Sequence, residues 1–289
     1  MTVVGVLHPG SMGAAMAAQA RLSGAEVLWC PTGRSSATRN RALRYGLSAA
    51  SELRELVDTA DVILSICPPA HAEDIAVEVA AQGFAGIYVD GNAISPGTMA
   101  RVCAIAARGG ATVVDGSIIG SPPSDSKSPR LYLSGPEDAL ASVASLFTGS
   151  AVHAHALSGG IGRASALKLS YSSYQKTSRV LAAVSYALAS DYGVEEELFH
   201  IAQGRTTSYL ADTDYIPKVA ARSWRWGPEM LEVADALRES GLPACLAEAS
   251  AAIMSRWNES KDSSLSTHDA LRHLHEGQHG TSTSARDRR

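Results

Sequence analysis

The sequence predicts an α/β fold in two parts. A mostly parallel, doubly wound sheet is expected over residues 1–158, an all-helical region over 159–276 and a disordered tail over 277–289. Three observations lead there. Through residue 158, short continuous apolar runs alternate with alanine-rich segments, the pattern of βαβ units whose strands are covered on both faces. The first run, Val3–Leu7, ends in His8-Pro9-Gly10-Ser11-Met12-Gly13 and passes into an alanine-rich stretch up to Ala20, which is the order strand, tight turn, helix. After Gly159-Gly160-Ile161-Gly162, neither proline nor glycine occurs before Gly193. Ala166, Leu169 and Val180 fall there at helical spacing, so one long helix opens the second part.

The expected strands are Val3–Leu7, Glu26–Trp29, Val62–Ile66, Gly86–Val89, Thr112–Val114 and Leu131–Ser134, and Val152–Leu157 is the last stretch of strand character. Between them, runs of helix formers bounded by turn residues place helices near Ser11–Leu22, Ser36–Tyr45, Ala50–Val57, Ala70–Ala80, Gly97–Ala107 and Glu137–Phe147. The second part adds Glu195–Ala202, then 228–240 and 243–257, and the tail after Gly277 is polar and glycine-containing. Ligands of doubly wound sheets bind beyond the carboxyl ends of the strands. The polar tips His8–Gly13, Cys30–Ser36, Cys67–Ala70 and Asp90–Pro96 are therefore where a site is expected.

Composition narrows the function classes. The chain is 45% hydrophobic, as in globular proteins, and its net charge of −4 gives no sign of the basic face of a nucleic-acid binder. No apolar run reaches the roughly 18–20 residues that span a bilayer, and the N-terminal apolar stretch is a short strand rather than a secretion signal, so a cytoplasmic location is expected. The four cysteines, Cys30, Cys67, Cys103 and Cys245, are scattered without a C-x-x-C pair and read as reduced core thiols. No His/Cys/Asp spacing resembles a metal site.

In the first turn, Gly10 and Gly13 let the backbone approach a phosphate and let the helix pack on the strand. The amides of the helix N-terminus then face the anion. The usual dinucleotide fingerprint is G-x-G-x-x-G, and its first glycine is His8 here. His8, Pro9, Ser11 and Met12 complete the turn. The second strand ends Leu28-Trp29-Cys30-Pro31-Thr32-Gly33-Arg34-Ser35-Ser36, with no acid for a ribose 2′-hydroxyl. Thr32, Arg34 and Ser35 offer a guanidinium fork and hydroxyls that suit a 2′-phosphate, so NADP(H) is expected over NAD(H). Arg39 is expected on the exposed face of the next helix.

Further segments carry a resemblance. Gly10-Ser11-Met12-Gly13 looks like a Gly-x-Met-Gly turn, and Ser65-Ile66-Cys67-Pro68-Pro69 looks like a loop that passes beneath a nicotinamide ribose. Asp90-Gly91-Asn92-Ala93-Ile94-Ser95-Pro96 looks like an Asp-x-Ser-Thr loop ending in proline. Val114-Asp115-Gly116-Ser117-Ile118-Ile119-Gly120 stands in the place of Asp-Ala-Pro-Val-Ser-Gly-Gly, and Gly162 followed by Lys168 matches Gly-x5-Lys. In this order, and over nearly the whole chain, the segments resemble the β-hydroxyacid dehydrogenase superfamily. It includes 3-hydroxyisobutyrate dehydrogenases, glyoxylate reductases, 6-phosphogluconate dehydrogenases and imine reductases. The closest flavour is a subgroup with His-Pro-Gly in the first turn and Ile-Cys-Pro-Pro later.

The resemblance implies a Rossmann-type first half, a homodimer built through the helical half, and a small-molecule substrate. Cys67, Pro68 and Asn92 would lie at the cofactor, Asn92 facing the nicotinamide ribose or the substrate, with capping of its own loop as the other reading. Ser117, Ile119 and Gly120 would line the substrate. Two departures stand out: Ile119 replaces the family serine, and Tyr171-Ser172 replaces the asparagine one turn after the lysine. Simple 3-hydroxyisobutyrate-type chemistry is accordingly not expected.

Lys168 is the candidate catalyst. Hydride transfer to a carbonyl carbon builds charge on oxygen, and a cationic acid beside that oxygen stabilises the charge and supplies the proton. Ala164, Lys168, Tyr171, Ser172 and Gln175 share one helical face. Tyr171 or Ser172 would orient the substrate or assist proton transfer, while packing in the core is an equal reading for Tyr171; Gln175 would line the substrate. Tyr174 lies off the stripe and reads as packing. Trp224, with Arg222, Arg225 and Trp226, is either a cover for an acidic substrate or helical packing. An imine reductase would share the fold but commonly puts Asp or Tyr where Lys168 stands. The helical half is too short for a true 6-phosphogluconate enzyme. A cofactor-binding sensor or scaffold without turnover is the reading from another class.

Overall fold

The computed structural model describes residues 1–191, 193–204, 212–239 and 244–275. The expected tail over 277–289 lies outside these residues, as do 240 and 243, where two of the expected helices end and begin.

Strands β1 (Val3–Val6), β2 (Glu26–Trp29), β3 (Ser48–Ala49), β4 (Val62–Ser65), β5 (Ile87–Asp90), β6 (Thr112–Ile119), β7 (Arg130–Ser134) and β8 (His153–Ala156) form one sheet. Their order is β3-β2-β1-β4-β5-β6-β7-β8. Every neighbouring pair is parallel except β6 with β7. Helices α1 (Ser11–Leu22), α2 (Ser36–Arg44), α3 (Leu53–Thr59), α4 (Ala72–Ala81), α5 (Pro96–Arg108) and α6 (Glu137–Ser145) lie between the strands.

The period-two alternation of the strands divides the core. Val4, Val6, Val27, Trp29, Val62 and Leu64 pack on one face with Met16 and Ala17 of α1 and Leu140 and Val143 of α6. Leu28, Ile63 and Tyr88 pack on the other with Leu56 of α3, Val79 of α4 and Met99 of α5. The strands are apolar at successive positions because helices cover both faces.

Several expectations are corrected. Strand β3 went unread because two exposed residues carry no periodicity. Strand β6 runs on to Ile119, five residues past its expected end. Its Asp115-Gly116-Ser117 reads as a turn, yet the strand changes partner at Asp115, from parallel β5 to antiparallel β7. Helix α3 starts at Leu53 rather than Ala50: Glu52 is its N-cap, and just before it Ser51 N and Oγ both donate to Glu55 Oε2, holding Ser51 outside the helix.

The second half contains α7 (Arg163–Asp191), α8 (Glu195–Gln203), α9 (Ile216–Ala220), α10 (Ser223–Glu239), α11 (Cys245–Met254) and α12 (Thr267–His273). Helix α10 begins before Pro228 and carries it in its second turn. Helix α11 gives way to a 3-10 turn at Ser255–Ser260. Helices α9 and α12 are too short to have shown a period. Among the described residues, no helix is long and apolar enough to cross a membrane.

The chain divides into two compact units, Met1–Ser170 and Tyr171–Arg289, so α7 contributes to both. In the second unit α10 packs on α11 around Trp226, Met230 and Met254. Trp257, fully buried, donates from Nε1 to the Ala270 carbonyl at 2.7 Å.

Candidate functional site

The carboxyl end of β1 presents a bare helix start. Gly10 is the N-cap of α1 in extended conformation, with no side-chain cap and no acid in the first turn, so the amides of the first turn have no capping acceptor. A Cβ on Gly10 would meet nothing within 4 Å, whereas one on Gly13 would stand 2.4 Å from the His8 carbonyl oxygen. Gly13 is thus required by the turn itself, and Gly10 keeps space open beside the amides. Ser11 is exposed, Met12 half-buried against the core, and Pro9 buried.

The ends of β1 and β2 are joined by side chains. Arg34 donates from Nη1 to His8 Nε2 at 2.5 Å. Arginine has no acceptor, so Nε2 is unprotonated and Nδ1 carries the hydrogen. Burial first, then the neighbouring Arg34 and His71, pulls the imidazole down to a pKa of about 4. His8 Nδ1 and Arg34 Nε are both buried without a hydrogen-bond partner. Arg39 donates to the Arg34 carbonyl at 3.2 Å and Arg41 to the Pro9 carbonyl at 3.1 Å.

Thr32 is exposed, and Ser35 caps α2 through Thr38 N. A cavity of about 420 Å³ opens here, lined by His8, Thr32 and Arg34, by Leu53, Ile75 and Val79, and by the acids Glu52 and Glu78. Arg34 and the apolar residues of the cavity fit a ribose phosphate and an adenine, and the uncapped start of α1, which is not part of that lining, fits a pyrophosphate.

The next two loops are tied together by Asn92, which is 2% exposed. Its Oδ1 accepts from Cys67 N at 2.6 Å, and its Nδ2 donates to Asp90 Oδ2 at 2.9 Å and to Ser65 Oγ at 3.4 Å. These bonds tie Asn92 into the two loops, the loop-capping alternative to facing cofactor or substrate, and leave one lone pair of Oδ1 unused. Asp90 is completely buried, and burial raises its carboxyl to about 7 against the lowering bonds from Asn92. Burial, with Asp90 nearby, also lifts the Cys67 thiol to about 12, so Cys67 is a neutral wall. Pro68 is exposed beside it.

The third part of the first unit is built on Asp115, buried in β6 with 0% exposure. Its Oδ2 accepts from Ser134 Oγ, Gly162 N and Ser165 N at 3.0, 2.9 and 3.1 Å, and its Oδ1 from Ser165 Oγ at 2.7 Å. A buried carboxylate thus caps the start of α7, where negative charge is favoured. One turn later Lys168 donates from Nζ to the Ile118 carbonyl at 3.0 Å. Ser117, on the same face of β6 as Asp115, has a buried hydroxyl without a partner. Ile119 is half-buried, and Gly120, at φ +132°, ends the strand.

The remaining candidates belong to the second unit. Ser172 is 1% exposed and donates to Glu229 Oε1 at 2.8 Å, and Lys176 pairs with the other oxygen of Glu229. The hydroxyl expected to meet substrate instead completes a buried ion pair. Tyr171 and Gln175 are open or half-open, and Tyr174, expected to pack, is 71% exposed. Trp224 lies under the Lys261 ammonium, 4.2 Å from its ring centre. Among the described residues, no cluster of three or more His, Cys, Asp or Glu side chains is placed to hold a metal.

Sequence reasoning missed Asp115, Asp90, Ser134 and Arg41. For Asp115 the signal was a lone acid inside an apolar run.

Known proteins share this fold. An uncharacterized 28.5 kDa protein from Methanothermus fervidus is 28% identical over 176 residues, 61% of this chain. The chain spans just under two thirds of that relative, 66% of its length. A 3-hydroxyisobutyrate dehydrogenase of Mycobacterium tuberculosis, solved with L-serine, shares the fold at TM-score 0.71 and 21% identity, covering 95% of this chain and 99% of that one. A Salmonella typhimurium structure of the same description gives 0.73 and 18%, covering 94% and 99%. A reductive aminase of Aspergillus terreus, solved with NADPH and ethyl levulinate, gives 0.57 and 17%, covering 95% and 99%. Residues 189–257 match a domain of unknown function (DUF1932). Residues 3–159, more than half of the chain, match the NAD binding domain of 6-phosphogluconate dehydrogenase, and the chain belongs to that family.

Proposed function

We propose that the chain is an NADPH-dependent reductase, or a dehydrogenase run in reverse, acting on the C=O of a small polar, carboxylate-bearing substrate. One observation carries this reading: the Lys168 ammonium is anchored to the Ile118 carbonyl, at the carboxyl edge of the sheet where the glycine turn and the Asn92-tied loops also end. Bound NADPH supplies the hydride. Lys168 stabilises the developing alkoxide and gives it a proton, and the α7 cap on Asp115 fixes where the ammonium stands.

The α1 start holds the pyrophosphate, and Arg34 holds the 2′-phosphate. The absence of an acid at the end of β2 supports NADPH over NADH. Ile119 removes a hydroxyl from the substrate loop, which argues for a substrate other than 3-hydroxyisobutyrate.

The homodimer belongs to the same proposal. Tyr174, Ile201, Leu231 and Leu246 of the second unit are more than half exposed, and a second copy covers such apolar groups. Sedimentation of the intact chain at micromolar concentration is expected to give twice the 30.1 kDa chain mass; a monomer contradicts the dimer.

The test of activity is a panel of 2- and 3-oxo acids and cyclic imines, followed at the NADPH absorbance band, with Lys168→Ala beside the unaltered chain. Turnover on an oxo acid that falls at least a hundredfold in Lys168→Ala is expected. Turnover on imines alone assigns C=N chemistry, and tight NADPH binding without any turnover assigns a sensor or scaffold.

A further inference from the structure

We propose that His8 is a positioning residue for a nucleotide 2′-phosphate: its Nε2 holds the Arg34 guanidinium at the cofactor cavity, and His8 thereby sets the preference for a 2′-phosphorylated dinucleotide. The proposal rests on the NADPH reading above and deepens it. Nothing in the family pattern assigns such a role to this position, which the usual fingerprint gives to a glycine.

An arginine on an exposed loop is a long side chain whose ordering costs rotamer entropy. Arg34 is held at both ends instead. Its carbonyl accepts from Arg39 Nε and its Nη1 donates to His8 Nε2. His8 is fixed in turn, since it lies two residues past the end of β1, which is paired with β2 through Val6 and Trp29, and its carbonyl accepts from Gly10 N at 2.7 Å.

A glycine at position 8 would supply no acceptor. An acid there would neutralise the guanidinium, whereas a neutral imidazole orients Arg34 and leaves its full positive charge. One of the five guanidinium donors is used on His8, and Arg34 Nε and His8 Nδ1 remain buried without partners. Both residues line the cavity of about 420 Å³. The substitution that spoils the fingerprint thus places an oriented cation, with further donors, at the end of β2, where the adenosine ribose of a dinucleotide lies in such folds.

The experiment measures dissociation constants for NADPH and NADH by fluorescence titration of the intact chain, for the unaltered protein, His8→Ala, His8→Gln, Arg34→Ala and the double variant His8→Ala/Arg34→Ala. The expected result is a preference for NADPH that falls about tenfold in His8→Ala. His8→Gln, whose amide oxygen can accept, is expected to keep most of it. Arg34→Ala is expected to lose the preference, with no further loss in the double variant.

Equal weakening of both cofactors in His8→Ala and His8→Gln overturns the proposal, because His8 then only shapes the turn. A further loss of the ratio in the double variant also overturns it, since His8 would not act through Arg34. Equal affinity of the unaltered chain for the two cofactors overturns the NADPH reading itself, and the role of His8 with it.

Discussion

At the scale of single residues, the two turn glycines do different work. A methyl at Gly13 meets the His8 carbonyl at 2.4 Å, so Gly13→Ala is expected to lower stability by about 2 kcal/mol, as overpacking does, and to shift the melting temperature down. Gly10, at φ −67° with open space beside it, accepts alanine without strain. Gly10→Ala is expected to keep its melting temperature and to weaken NADPH binding at least tenfold, because the new methyl fills the space beside the amides. Unchanged binding in Gly10→Ala would remove the phosphate from this turn.

Two buried titrating groups pull stability in opposite directions. Asp90 is raised from 3.8 to about 7, so it stays protonated in the fold while the unfolded chain ionises; its contribution is present below pH 4 and lost as pH rises to about 7. The sum is on the order of 4 kcal/mol. His8 is lowered from 6.5 to about 4, so its contribution is present above pH 6.5 and lost as pH falls to about 4. The two slopes offset in the unaltered chain. Urea unfolding of His8→Gln is expected to show stability falling from pH 4 to pH 7, and Asp90→Asn to show it falling from pH 6.5 to pH 4. Parallel profiles for the two variants would contradict these assignments.

The glycine turn, Arg34 and Lys168 could be picked out as candidates because residue type and spacing suggest their chemistry. The partners of Asn92 and Ser172 could not be read, because polar side chains near a site are equally suited to satisfying buried neighbours, and only coordinates show which neighbours exist.

At the scale of elements, the entry of α7 decides where Lys168 stands. Asp115 receives four hydrogen bonds from three partners, Ser134, Gly162 and Ser165. Asp115→Ala leaves those donors buried without an acceptor and is expected to cost about 3 kcal/mol or more. Amide hydrogen exchange at Gly162–Ser165 should then accelerate more than exchange in β1 or β4. A loss spread evenly over the sheet would mean that Asp115 does not act as the cap.

The strands other than β3 and the six helices among them were readable from the alternation of apolar runs. The continuation of β6 was not, because Asp115-Gly116-Ser117 has turn composition and only its partners in β7 and α7 make it a strand. Helices α9 and α12 escaped because five and seven residues span too few turns to show a stripe.

At the scale of the molecule, the division into a sheet unit and a helical unit was visible in texture: short apolar runs with glycine turns, then a stretch free of both breakers. The boundary was harder to see, because α7 is one uninterrupted helix whose first turns fold with the sheet. A composition shift marks where a helix begins, not which core each of its turns joins.

The central claim is hydride transfer from NADPH to a carbonyl carbon with Lys168 as the acid. The most direct measurement supplies NADPH deuterated at the transferring position of the nicotinamide C4 with each oxo acid of the panel and locates the label in the product. The expected result is one deuteron on the carbon bearing the new hydroxyl, formed by the unaltered chain and at least a hundredfold more slowly by Lys168→Ala. Deuterium absent from every product, or appearing at the same rate without Lys168, would contradict it.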